Sequence, residues 1–268
     1  MFASQLIIYF RLTFVRALAP DRFLFCSAFT CHNETCNVWT HVLGFFLFFG
    51  LALYCFLTEE VLSADAPLGG RVAIGFYFVT VMICMALSSV FHLFYCHSDD
   101  TLRILSKCDH VGIILLLCGS DVPTLYFGFA AYPKLQLLYL VLLPIVILGG
   151  ILAIISPYFA HPERRNTRVA LMLTVVLFGW FHMGHEVILK GGVGTEEGMT
   201  TLRLWLYSFG FYALGLVFYV TRIPERYTNS GRFDYVVRSL AVLCGIFLAF
   251  FSALLISNCL LFSRCNAI

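Results

Sequence analysis

The sequence predicts an all-α fold: a polytopic membrane protein whose seven-transmembrane helix bundle has its N-terminus in the cytosol and its C-terminus outside. Three observations predict it. Of the 268 residues 60% are hydrophobic and only 12% charged, too little polar surface to coat a soluble globule. Seven apolar runs, at 38–57, 72–95, 107–130, 135–155, 169–189, 203–221 and 236–262, approach the ~20 residues that a helix needs to cross the hydrocarbon core. Only helices or closed barrels satisfy every backbone group in lipid, and these runs are too long for barrel strands. Finally, 12 of the 17 Lys and Arg residues fall on one side of the bundle: Arg11, Arg16, Arg22, Arg103, Lys107, Arg164, Arg165, Arg168, Arg222, Arg226, Arg232 and Arg238. Arg71, Lys134, Lys190, Arg203 and Arg264 fall on the other. The positive-inside rule makes the first side cytosolic, the reverse of a G-protein-coupled receptor.

Residues 1–37 read as a cytosolic N-terminal segment. Its apolar residues are interrupted by Arg11, Arg16 and Arg22, which suits an interfacial helix, or a weakly ordered basic leader, more than a secretory signal. Asn33-Glu34-Thr35 has the pattern of a glycosylation sequon, but the deduced topology hides it from the transferase. Cys26, Cys31 and Cys36 share that reducing compartment and are expected as free thiols. With His32 they match no zinc spacing.

Residues 38–262 read as one membrane domain, without repeats or long linkers, in which short loops make consecutive helices antiparallel neighbours. The longer loops carry Pro67, Gly69, Gly70, Pro157, Pro162, Pro224 and Gly231, as turns do. Pro123, inside the third span, should kink that helix and free a carbonyl.

Between the second and third spans lies SSVFHLFYCHSDDTLRILSKCDHVGI, residues 88–113. The antiparallel arrangement puts His92 and Asp109 at similar depth near the cytosolic face, with Ser88 one turn from His92 on the same helix face. A polar loop, Cys96 to Ser106, is expected to join the helices. An ionisable residue at membrane depth needs a partner or a function. Imidazole, carboxylate and hydroxyl together read either as a metal ligand with an orienting group or as a hydrogen-bonded pair pinning two helices. His97, Asp99, Asp100 and His110 read as interfacial and solvated.

In the fifth span, WFHMGHE places His182 and His185 three residues apart with Glu186 beside them, towards the outer leaflet. Asp121 on the third span lies at the depth of His182. The set reads as a mutually neutralising pair, with a proton or ligand contact as the other option. At about 1.5 Å per residue it is most of a bilayer away from His92.

NETCNVWTHVLG (33–44), SSVFHLFYCHS (88–98), KCDHVGI (107–113), GSDVP (119–123), RIPERY (222–227) and GRFD (231–234) together resemble the progestin and adiponectin receptor family, related to bacterial hemolysin-III-like proteins. The first half most resembles the Golgi-resident, Raf-trapping branch. The resemblance implies a seven-helix bundle with the N-terminus inside. It also implies zinc held by one histidine of an SxxxH motif and two of an SHQxxH motif, with an aspartate on the third helix holding the zinc-bound water. His92 would be a zinc ligand, Asp109 the water-holding carboxylate, and Ser88 the serine of the motif.

The seventh span departs from that pattern. SLAVLCGIFLAFF carries the serine as Ser239, but Leu240 and Cys244 stand where histidines are expected. A catalytic zinc wants three protein ligands and a water. Cys244 could supply a thiolate, or simply be a small buried apolar residue. Beyond Asp234 the resemblance weakens, as it would in a member that lost its metal or where the last thirty residues come from an alternative exon or a mis-joined gene.

Two functions follow. One is a receptor or scaffold that meets an extracellular hormone or lipid ligand and presents a cytosolic face to a signalling protein, in the Golgi or the plasma membrane. The other is a zinc-dependent lipid amide hydrolase, which resembles the ceramide hydrolysis linked to several members. A transporter would need broken helices or a charged pore, for which only Pro123 and Asp121 speak. Membrane lipids are partners in either case, and nothing points to nucleic acid.

Overall fold

The computed structural model describes residues 34–57, 67–94, 98–160 and 164–221. These form six long helices: α1 (Thr35–Leu57), α2 (Leu68–Leu93), α3 (Asp99–Gly128), α4 (Pro133–Ile155), α5 (Arg165–Leu189) and α6 (Glu196–Thr221). There is no strand among the described residues. By length and composition α1, α2, α3 and α4 each suffice to cross a membrane, and α5 contains a shorter apolar stretch, Leu173–Leu189. The expected seventh span, 236–262, lies outside the described residues, as do Cys26, Cys31, Asn33, His97, Ser239, Leu240 and Cys244.

Consecutive helices pack on one another, and α3 also packs on α5, which makes it the hub. Close approaches set the α2/α3 register: a Cβ at Gly112 would lie 3.2 Å from the Cys84 backbone, and one at Gly119 would collide with the Thr80 hydroxyl. As α3 advances from 112 to 119, its partner on α2 retreats from 84 to 80, so the pair is antiparallel. Small residues let the two backbones come this close.

Two apolar clusters fill the interior. Phe48 of α1, Tyr77, Phe78 and Val81 of α2 and Leu116 of α3 form one; Ile114, Cys118, Leu125 and Phe129 of α3, Tyr139 and Leu143 of α4 and Val175 of α5 form the other. The opposite face of α4 exposes Leu137, Val141, Ile145, Leu148 and Leu152, a stripe at helical spacing whose natural solvent is the acyl chain.

Helix starts differ from the hydropathy reading. The expected loop Cys96 to Ser106 is mostly helix, because Ser98 caps α3 by accepting the Thr101 backbone N–H at 3.2 Å, and Asp99 and Asp100 occupy the first turn. A capping hydroxyl and acidic residues at the positive helix end start a helix in polar sequence. Thr195 does the same for α6, where its hydroxyl accepts the Gly198 N–H at 3.1 Å ahead of Glu196 and Glu197. Gly191 and Gly192, at φ 89° and 61°, make the left-handed turn out of α5, a conformation that glycine adopts without steric cost.

Pro123 sits in a continuous α3. It removes the hydrogen bond to the Gly119 carbonyl, and hydroxyls serve the carbonyls around it: Thr124 Oγ1 donates to Asp121 O at 2.7 Å and Ser120 Oγ to Leu117 O at 2.6 Å.

Candidate functional site

Glu34 immediately precedes α1 and is 1% exposed. A buried carboxylate needs hydrogen-bond donors, and Oε2 has two: Asn37 Nδ2 at 2.7 Å and His92 Nδ1 at 2.8 Å. The second crosses from the head of α1 to the last turn of α2. The His41 ring stacks on His92 with centroids 5.4 Å apart, and its Nδ1 donates to the Asn37 carbonyl at 2.7 Å. A carbonyl or carboxylate only accepts, so both Nδ1 atoms carry the proton in these bonds and both Nε2 atoms keep a lone pair in the neutral rings. The result is two held imidazoles at one end of the bundle.

Ser88 is buried one turn before His92, and Asp109 is half-buried on α3. The register through Gly112 and Gly119 sets Asp109 opposite residues 87 and 88, about one helical turn deeper than His92. Asp99 and Asp100 are exposed, whereas His110 is half-buried with Nδ1 on the Ser106 carbonyl at 2.5 Å. Cys36 is a free, exposed thiol.

At the other end of the bundle, His182 Nε2 lies 3.3 Å from Asp121 Oδ1. The approach is outside hydrogen-bond geometry, and neither ring nitrogen of His182 has a hydrogen-bond partner among the described residues. His185 turns away to α4, where Tyr139 Oη is 2.8 Å from its Nδ1. Glu186, fully buried, holds Lys190 Nζ at 2.9 Å, and Glu197 stands 3.5 Å from the same ammonium. The WFHMGHE run therefore serves three different neighbours.

The family described as haemolysin-III related matches residues 29–255. An adiponectin receptor protein of Drosophila melanogaster is 34% identical over 81% of this chain. Progestin and adipoQ receptor family member 3 of Homo sapiens is 31% identical over 82% of it, and heptahelical transmembrane protein 1 of Arabidopsis thaliana 32% over 85%. The chain belongs to the progestin and adipoQ receptor, or haemolysin-III-related, family. It spans 48% of the length of the fly protein, 71% of the human one and 69% of the plant one. The family match extends past Cys244, to residue 255.

Family membership makes this an integral multi-pass membrane protein, and it also poses the question of zinc. The donor set answers for the described residues: none brings three His, Cys, Asp or Glu groups together in a metal-holding arrangement. His92 offers one lone pair at Nε2, while Glu34 is committed to His92 and Asn37. The described donors do not fit a zinc site by themselves.

Sequence reasoning missed Glu34, Asn37 and His41. Their spacing was visible, since steps of three and four put them on one helix face, but the sequon directed attention to Asn33. Of the side chains around Asp121, His182 was matched to it by depth, whereas Trp180 of α5 and Trp205 and Ser208 of α6 had no signal, since only packing brings them there.

Proposed function

We propose that the chain is a seven-helix, receptor-like or scaffolding protein of the Golgi or plasma membrane, with its N-terminus in the cytosol, that signals through its cytosolic face. The observation that carries this reading is the Glu34–His92 hydrogen bond. It ties the end of α2 to the residue where the N-terminal segment enters the bundle, on the side that the Arg and Lys count assigns to the cytosol. A displacement of α2 would then pull on the start of α1 through a buried, charge-assisted bond. The names of the relatives point to hormone or steroid ligands on the outside, and the Arg-rich loops to a cytosolic protein partner.

The hydrolase reading rests on His92, Asp109, Ser88 and Cys244, with zinc as the cofactor; against it, Leu240 stands where a histidine ligand is expected, and the described residues bring no three donors together. Zinc stoichiometry of the detergent-purified full chain, with His92→Ala and Cys244→Ala beside it, separates the two. No bound zinc supports the receptor or scaffold. One zinc per chain, lost in both variants, replaces that reading with a hydrolase whose thiolate fills a histidine position. Proximity labelling from an N-terminal fusion then tests the cytosolic face: a set of labelled proteins that changes with Glu34→Ala supports coupling through the clamp, and an unchanged set removes it.

A further inference from the structure

A cavity of about 90 Å³ lies between α3, α5 and α6, lined by Ser120 and Asp121 of α3, Gly179 and Trp180 of α5, and Trp205 and Ser208 of α6. Its polar groups are incompletely matched. Ser208 is 9% exposed and its Oγ has no hydrogen-bond partner among the described residues. Ser120 Oγ spends its hydrogen on Leu117 O and keeps its lone pairs. Gly179 gives the Asp121 carboxylate room, since a Cβ there would stand 3.3 Å from Oδ1. Buried polar atoms without partners are rare enough in folded proteins that each asks for a ligand or a role.

The charges of the neighbourhood are as uneven. Lys190, the nearby lysine, is shared by Glu186 and Glu197. His185 is engaged with Tyr139. That leaves His182 as the nearest basic group to Asp121, 3.3 Å away but outside hydrogen-bond geometry. A carboxylate at membrane depth without a satisfied counter-charge calls for a cation.

We propose that this cavity is a binding site for a small monovalent cationic group, either sodium or a primary ammonium, held by Asp121 and the hydroxyl oxygens of Ser120 and Ser208. The aromatic rings of Trp180 and Trp205 add cation–π attraction. The size agrees: the cavity is well above the ~10–15 Å³ that a single water requires, so it has room for a partly hydrated ion or an ammonium head. The site lies at the opposite end of the bundle from His92, so it stands independently of the receptor reading.

The test is thermal unfolding of the detergent-purified full chain in sodium chloride, N-methylglucamine chloride or ethylammonium chloride at equal ionic strength. Sodium or ethylammonium should raise Tm by about 3 °C or more at a tenfold excess over half-saturation, and whichever does so names the source of the charge. Asp121→Asn should abolish the shift. Ser208→Ala removes an unpartnered hydroxyl, so it should leave Tm in N-methylglucamine unchanged or higher while weakening the shift; it decides the matter if Asp121→Asn does not fold. Equal Tm in all three salts overturns the proposal, as does a shift that survives in Asp121→Asn or is undiminished in Ser208→Ala.

Discussion

Glu34 shows how much one side chain can organise. Replacing it by Ala leaves the His92 and Asn37 donors unmatched in a buried place, at a cost of about 1–3 kcal/mol. Glu34→Gln should cost less, because its amide oxygen still accepts from His92 Nδ1. Thermal unfolding in detergent of both variants, each with and without His92→Ala, measures the coupling; equal losses for Gln and Ala would assign the effect to charge instead of the hydrogen bond. At the start of α3, Ser98→Ala should lose about 1 kcal/mol through the unmatched Thr101 N–H, read by the same unfolding measurement. His92 and Asp109 were legible in the sequence because ionisable residues stand out in an apolar run. Glu34 was not, because residue 34 precedes the apolar stretch and its burial depends on where α2 ends.

The helices differ in how tightly they approach, and glycines mark the difference. A methyl group at Gly119 would strike Thr80, whereas at Gly50 it would meet nothing within 4 Å. Gly119→Ala should therefore destabilise the α2/α3 pair by about 1–3 kcal/mol through overpacking. Gly50→Ala should be neutral or stabilising by roughly 0.5–1 kcal/mol, since Ala is the better helix former. Comparison of the two unfolding midpoints checks this, and similar shifts would mean that α2 and α3 are not in close contact. The apolar runs at 38–57 and 135–155 nearly coincide with α1 and α4 because those helices are apolar almost throughout. They fell short at α3 and α6, whose first turns are polar and start from Ser98 and Thr195. Hydropathy sees the part of a helix that lipid covers; the caps decide where hydrogen bonding begins.

Over the whole molecule, the orientation derived from Lys and Arg makes a simple prediction at the Asn33 sequon. The full chain expressed in a eukaryotic cell should show no mobility change on treatment with peptide N-glycosidase; a shift would place the N-terminus in the lumen and reverse the topology. Composition and run length were enough for the membrane class and the helical fold, and six motifs in order were enough for the family, because these properties repeat along the chain. The partnerships were beyond them. Asp121 and His182 could be matched by depth, since each helix advances by a constant rise, yet the departure of His185 towards Tyr139 depends on how α4 and α5 are rotated about their axes. So does the cavity beside Asp121, assembled from α3 and the consecutive helices α5 and α6. What the sequence by itself determined was which segments seek lipid and at what depth their polar residues lie; only the tertiary structure decided which of those residues touch, because helix rotation is set by side-chain packing between segments and leaves no period in any one of them.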